Sequence, residues 1–230
     1  EKLTRSDLRT LSLASLGSAL EYFDFIIFAY FTTEIAKIFF PPTAPLWLNE
    51  LRTYAFLAVG YLARPLGGIV MAHFGDLLGR KRMFTFSIIL MTLPTLIIGL
   101  LPGYAEWGIM APILLLIMRI LQGAAVGGEV PGAWVFVAEH VPPRYLGFAT
   151  SLLSAGISVG ILLGSLTALI LRDQFKDEAL LEIGWRIAFF MGAAFGLIAI
   201  YLRRYLAETP VFQTLYAEKM LVKTWPLQHI

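Results

Sequence analysis

The sequence predicts an all-α membrane protein with six transmembrane helices arranged as two inverted three-helix repeats. Three observations carry the six membrane helices. First, 58% of the 230 residues are hydrophobic and only 15% are charged, against about 45–50% and 25% in soluble globular chains, and the mean hydropathy is +0.74. Second, apolar runs of membrane-crossing length recur along the whole chain; a span needs about 20 residues at roughly 1.5 Å rise each. Third, these runs do not alternate and exceed the ~9–11 residues of a barrel strand, while open strands cannot cross lipid. Cysteine is absent, which leaves neither disulfides nor thiolate metal sites. The polar start "EKLTRSDLRT" and the long acidic run after it do not form a cleavable signal.

The first helix is expected from Leu11 to Phe40, ended by "PPTAP", because proline cannot continue a helix interior. The second runs from Arg52 to Phe74 and is followed by "GDLLGRKR". The third spans Met83 to Leu101 and contains Pro94, a kink signal. After the turn "PGYAEWG", the fourth covers Met110 to Ala138. The fifth extends from Leu146 to Leu171, and the sixth from Trp185 to Leu206. Residues 1–207 form the transmembrane domain on this reading, and 208–230 open a cytoplasmic central loop.

Lys and Arg set the orientation. One side carries Lys2, Arg5, Arg9, Arg80, Lys81, Arg82, Arg144, Arg203 and Arg204, and the other side carries acid-diluted Arg172 and Lys176. The positive-inside rule puts both ends of the segment in the cytoplasm. Trp47, Trp107 and Trp185 near the borders suit either the interfaces or packing. Glycines recur at four-residue spacing: Gly123 and Gly127, then Gly156, Gly160 and Gly164, then Gly192 and Gly196. That spacing lets helix backbones approach closely.

The charges inside the spans are the functional candidates. Glu21 and Asp24 lie three residues apart in the first helix, so they sit side by side, about 15–20 Å into it. Arg119 and Glu129 lie in the fourth helix. Charges in the corresponding helices of two inverted halves are a transporter pattern, and intramembrane acids mark proton and substrate pathways. An alternative for the acids is a fixed structural pair with Arg119 or Arg64. Tyr22, Phe25, Gln122 and Trp134 are candidates to line a cavity. No nucleotide-binding loop, nucleophile elbow or histidine-based metal motif is present, and His73, His140 and His229 are scattered. The expectation is a chain without catalytic residues, cofactor, metal or nucleic-acid partner.

In "GDLLGRKR", Asp76 falls at a membrane border, Gly79 allows a tight turn, and Arg80, Lys81 and Arg82 follow. This loop resembles the one between helices two and three of the major facilitator superfamily. With "GSALEYFDF", "RPLGGIVMAHFGDLLGRKR", "RILQGAAVGGEVPGA", "AEHVPPRYLGF", "GWRIAFF" and "LRRYLAETPVF", the chain resembles the metabolite:H+ symporter family within it. Two positions depart from the usual loop motif, Ala72 in place of glycine and Leu77 in place of arginine.

The resemblance implies a bacterial inner-membrane symporter for a small polar metabolite such as an organic acid, betaine or osmolyte, driven by protons. It favours a functional role for Arg119, beside the reading of Glu21, Asp24 and Glu129 as coupling or substrate residues from their intramembrane charge, and it implies a cytoplasmic gate at Asp76, Gly79, Arg80 and Lys81. It also implies twelve helices, so this segment matches the N-terminal half and its partners are membrane lipid and a second six-helix half, from the same polypeptide or a second copy. The alternative is a six-helix homodimer or a non-transporting sensor or scaffold.

Overall fold

A computed structural model describes residues 4–203 and 214, so all but Thr214 of the expected loop 208–230 lies outside the described residues. The elements are α1 (Arg5–Tyr30), α2 (Thr32–Phe39), α3 (Leu46–Leu78), α4 (Arg80–Leu100), α5 (Tyr104–Trp107) and α6 (Met110–His140). A 3-10 turn (Pro143–Tyr145), α7 (Leu146–Gln174), α8 (Asp177–Ala179), a π-helical turn (Leu180–Gly184) and α9 (Trp185–Arg203) follow. Among the described residues, six segments are long and apolar enough to cross a membrane: α1, α3, α4, α6, α7 and the π turn with α9.

Three of the spans depart most from the sequence reading. The first helix is not continuous to Phe40: it breaks at Phe31 and restarts as α2. Neither glycine nor proline marks the break. Local and distant polar groups hold it. The Thr32 hydroxyl donates to the carbonyls of Ala29 (2.8 Å) and Phe28 (3.3 Å). From α7, Arg172 donates to the Tyr30 carbonyl at 2.6 Å and pairs with the Glu34 carboxylate at 3.1 Å. The second span starts at Leu46, not Arg52, with Pro45 as its cap, because a missing N–H is harmless at a helix start. It ends at Leu78, not Phe74, where Gly79 turns the chain at φ 103°. That φ strongly favours glycine. The sixth span begins earlier than Trp185, in the π turn, and its expected end at Leu206 lies outside the described residues.

The packing follows the repeat. Contacts are most extensive for α3 with α6 and for α1 with α7, followed by α4 with α9, α4 with α6, and α1 with α9. Exchanging α1, α3, α4 for α6, α7, α9 turns the α1–α7 pair into α6–α3 and the α4–α6 pair into α9–α1. It leaves α4–α9 unchanged. The two halves therefore interlock, each supplying the other's main neighbours.

Glycine makes both large crossings possible. A Cβ at Gly123 would run into the Gly60 carbonyl, and one at Gly127 into the Arg64 carbonyl. On the other pair, Gly156 abuts Ser15 and Gly160 abuts the Ala19 carbonyl. The Ser15 hydroxyl also donates to the Leu152 carbonyl at 2.7 Å. The bundle's aromatic core gathers Phe23, Phe28, Phe31, Phe39, Trp185 and Phe189. Trp185 is thus a packing residue and not an interfacial one: it is fully buried, edge-on to Phe39 and Phe189. Trp47 and Trp107 are exposed.

Arg186 ties α9 to α4. Its Nη1 donates to the carbonyls of Gly99 and Leu101, both at 2.8 Å, where the last turn of α4 has no helical N–H to meet them. Arg186→Met is predicted to destabilise the protein by about 1.5–3 kcal/mol, the range for hydrogen bonds to a charged group. Thermal unfolding in detergent measures this, and an unchanged midpoint would show that the clamp contributes nothing.

Candidate functional site

A buried polar cluster crosses the middle of the bundle, assembled from α1, α4 and α6. Asp24 and Arg119 are 6% and 5% exposed, and Gln122 and Thr95 are equally hidden. Residues three apart on a helix share a face, so Arg119 and Gln122 point the same way from α6. The Asp24 carboxylate accepts the Thr95 hydroxyl on Oδ1 at 2.8 Å and the Gln122 amide on Oδ2 at 2.8 Å. The Gln122 carbonyl accepts Arg119 Nη1 at 2.9 Å, while its amide also reaches Thr95 Oγ1 at 2.8 Å. An amide has donors at one end and an acceptor at the other. Gln122 therefore presents the correct end to each charge.

This arrangement replaces the direct Asp24–Arg119 pair that the sequence left open. Among the described residues the two charges communicate through Gln122. The Arg119 guanidinium also stacks on Phe28, 3.9 Å from the ring centroid. Burying a carboxylate and a guanidinium is costly unless their hydrogen bonds are met; the relay meets those of Asp24 on both oxygens, while Arg119 keeps a buried Nε without a hydrogen-bond partner among the described residues.

Thr95 has one proton and two acceptors, Asp24 Oδ1 at 2.8 Å and the Met91 carbonyl at 2.9 Å. With Asp24 ionised, the hydroxyl donates to the carboxylate. With Asp24 protonated on Oδ1, the acid donates to Thr95 and the hydroxyl turns to Met91. Both states are fully hydrogen-bonded, so a proton can come or go without orphaning a buried group.

The cluster borders a narrow cleft whose lining includes Glu21, Asp24, Phe25, Tyr61, Arg64 and Arg119. Glu21 is 1% exposed and so lies as deep as Asp24. Arg64 comes from α3 and stands beside Tyr22. Trp134 lies elsewhere: it packs with Leu11, Phe136 and Leu153 in a separate apolar cluster, away from the cleft it was expected to line. Glu129 lies in α6, but its side chain is outside the described residues, as is that of Arg80. Asp76 is exposed and lines a second, wider cleft with Gly75, Met83 and Gly128. Lys81 is half-buried in the first turn of α4, following Gly79.

Sequence reasoning missed Thr95 and Tyr61. A threonine in a membrane helix most often bonds its own i−4 carbonyl, as Thr95 also does, so it has no distinguishing signal. Tyr61 did carry one, since it precedes Arg64 by three residues and shares its face.

The family profile described as "Sugar (and other) transporter" matches residues 10–223. The chain is 42% identical over 205 residues to the proline/betaine transporter of Salmonella typhimurium, covering 89% of this chain and 41% of that protein. It is 39% identical over 212 residues to the glycine betaine/proline/ectoine/pipecolic acid transporter OusA of Dickeya dadantii, covering 92% and 42%. The chain thus spans less than half the length of these relatives. In fold it is similar to the xylose transporter XylE from E. coli in a partially occluded inward-open conformation, with TM-score 0.85 at 17% identity, over 95% of this chain and 52% of that one. The six spans, their interlocked pairing and the profile match along most of the sequence agree: this chain belongs to the sugar (and other) transporter family of the major facilitator superfamily, as a multi-pass membrane segment.

Proposed function

We propose that this chain is the N-terminal six-helix half of a proton-coupled symporter that takes up a small zwitterion of the proline and betaine kind. The observation that carries this is the Arg119–Gln122–Asp24–Thr95 relay beside an intramembrane cleft. Asp24 carries the proton. While it is ionised, it balances Arg119 through Gln122. Protonation removes that balance and leaves Arg119 as a buried cation seeking a carboxylate. Guanidinium groups hold carboxylates in a fork, so the substrate's acid group completes the site. Proton and substrate then cross together because each stabilises the other's bound state.

The alternating-access cycle requires a second six-helix half across the cleft. Relatives more than twice as long as the matched region support this. Glu21 keeps α1 in register beside the cleft, and Glu129 serves a second proton step nearer the cytoplasm. Tyr22, Phe25 and Gln122 face substrate or relay. Residues 1–207 form the transmembrane unit and 208–230 open the loop to the second half. The loop at Asp76, Gly79, Arg80 and Lys81 acts as a cytoplasmic gate, consistent with a positive-inside orientation in the bacterial inner membrane.

The test is uptake by the intact gene product in proteoliposomes under an imposed pH gradient. Accumulation of radiolabelled proline or glycine betaine, abolished by a protonophore, is the expected result. Uptake indifferent to the gradient would sink the coupling, and absence of uptake for both would sink the substrate class.

A further inference from the structure

The cleft's α3 wall holds a cation on an aromatic face. The Arg64 guanidinium carbon lies 4.0 Å over the Tyr61 ring centroid and 5.9 Å from that of Phe25. The two rings meet edge to face, with centroids 5.2 Å apart and planes at 80°. Arg64 Nε is buried with no hydrogen-bond partner among the described residues. That end of the guanidinium therefore rests on the ring face without a directional bond. A cation within ~6 Å of an aromatic centroid is attracted by the ring quadrupole, and the attraction grows on desolvation. Tyr61, Phe25, Arg64 and Arg119 all line the same cleft. Both arginines are cations, and like charges disfavour each other's charged form.

We infer that the Tyr61–Phe25 pair is the subsite for the substrate's quaternary or secondary ammonium, and that Arg64 is its resident stand-in, displaced when substrate binds. This rests on the zwitterion reading proposed above. A zwitterion satisfies both ends of the cleft at once. Its ammonium takes the ring face that Arg64 leaves, and its carboxylate lies at Arg119. An anion lacking the ammonium would leave the rings to Arg64. The subsite therefore selects zwitterions over anions without the ammonium.

The experiment uses the intact gene product in proteoliposomes, with glycine betaine as substrate and tert-butylacetate, its uncharged-centre isostere, as competitor. Tyr61→Leu is expected to raise the KM for glycine betaine about tenfold, whereas Tyr61→Phe keeps it within about twofold of wild type because the ring face is retained. Inhibition by tert-butylacetate is expected to be the same in wild type and Tyr61→Leu. Arg64→Met vacates the rings and is expected to lower the KM for glycine betaine, a change of sign that a folding defect cannot imitate. An unchanged KM in Tyr61→Leu overturns the inference, as does an equal weakening of tert-butylacetate, which would mean shape and not charge is read. A raised KM in Arg64→Met also overturns it. Wild-type protein that transports neither glycine betaine nor proline removes the zwitterion reading and this subsite together. Wild-type transport with an indifferent Tyr61→Leu removes the subsite alone.

Discussion

Asp24→Asn is expected to reduce pH-gradient-driven accumulation by the intact gene product to background while leaving substrate exchange across the membrane measurable. The reason lies in the relay. Asparagine keeps the size of aspartate and can still accept from Thr95 or Gln122, so the helices stay packed. It cannot alternate between ionised and neutral forms, and Arg119 is then left permanently without its counter-charge. A carrier locked in the proton-loaded state can still swap substrate but cannot use the gradient. Undiminished accumulation would eliminate Asp24 as the proton carrier. Thr95 refines the test. Thr95→Ser keeps the hydroxyl that turns between Asp24 and Met91, and Thr95→Val removes it at nearly constant volume. The pH profile of uptake should follow wild type in the serine variant and shift in the valine variant. A merely structural threonine would leave both profiles alike.

The second large effect concerns the crossings. Gly123→Ala is expected to destabilise the protein by at least about 1–3 kcal/mol, the usual cost of overpacking. Its new Cβ would fall on the Gly60 carbonyl, and backbone on backbone has no rotamer to yield. Gly147→Ala is the control, because nothing lies within 4 Å of a Cβ there. Both positions are helical, so both gain up to about 1 kcal/mol of helix propensity. A loss at 123 with neutrality or a gain at 147 isolates the packing term. Thermal unfolding of the two variants in one detergent measures the difference, and equal midpoints would show that α3 and α6 can separate at little cost. Gln122 and Arg119 ride on the same stretch of α6, so the 123 variant should also lose transport.

Much of the fold was legible because lipid imposes it. Span number follows from apolar length, and the glycine spacing announced the close crossings that the structure contains. The site was legible where a charge interrupted an apolar run, as at Glu21, Asp24 and Arg119. Its neutral members were harder to find. Gln122 was found beside Arg119, but Thr95 looks like any membrane threonine until α1 is brought against α4. The break at Phe31 was illegible for the same reason. Its main clamp, Arg172, is held by a helix ~140 residues away in sequence, and no local residue type signals it. Trp134 and Trp185 show a limit of residue identity: an aromatic near a border can face a cavity, an interface or the core, and only packing decides.

The interlocked pairing also dictates an order of assembly in the cell. Spans leave the ribosome one after another and enter lipid as separate helices before they dock. When only the first three have emerged, α1 and α3 still lack their principal mates, α7 and α6. Asp24 can already find Thr95 on α4, but Gln122 has not been made. Insertion of α6 is therefore the committed step: it closes the hydrogen bonds of a carboxylate that would otherwise stand incomplete in hydrocarbon. A nascent chain arrested before α6 is, on this account, a substrate for membrane quality control, whereas one arrested just after it has its polar centre sealed.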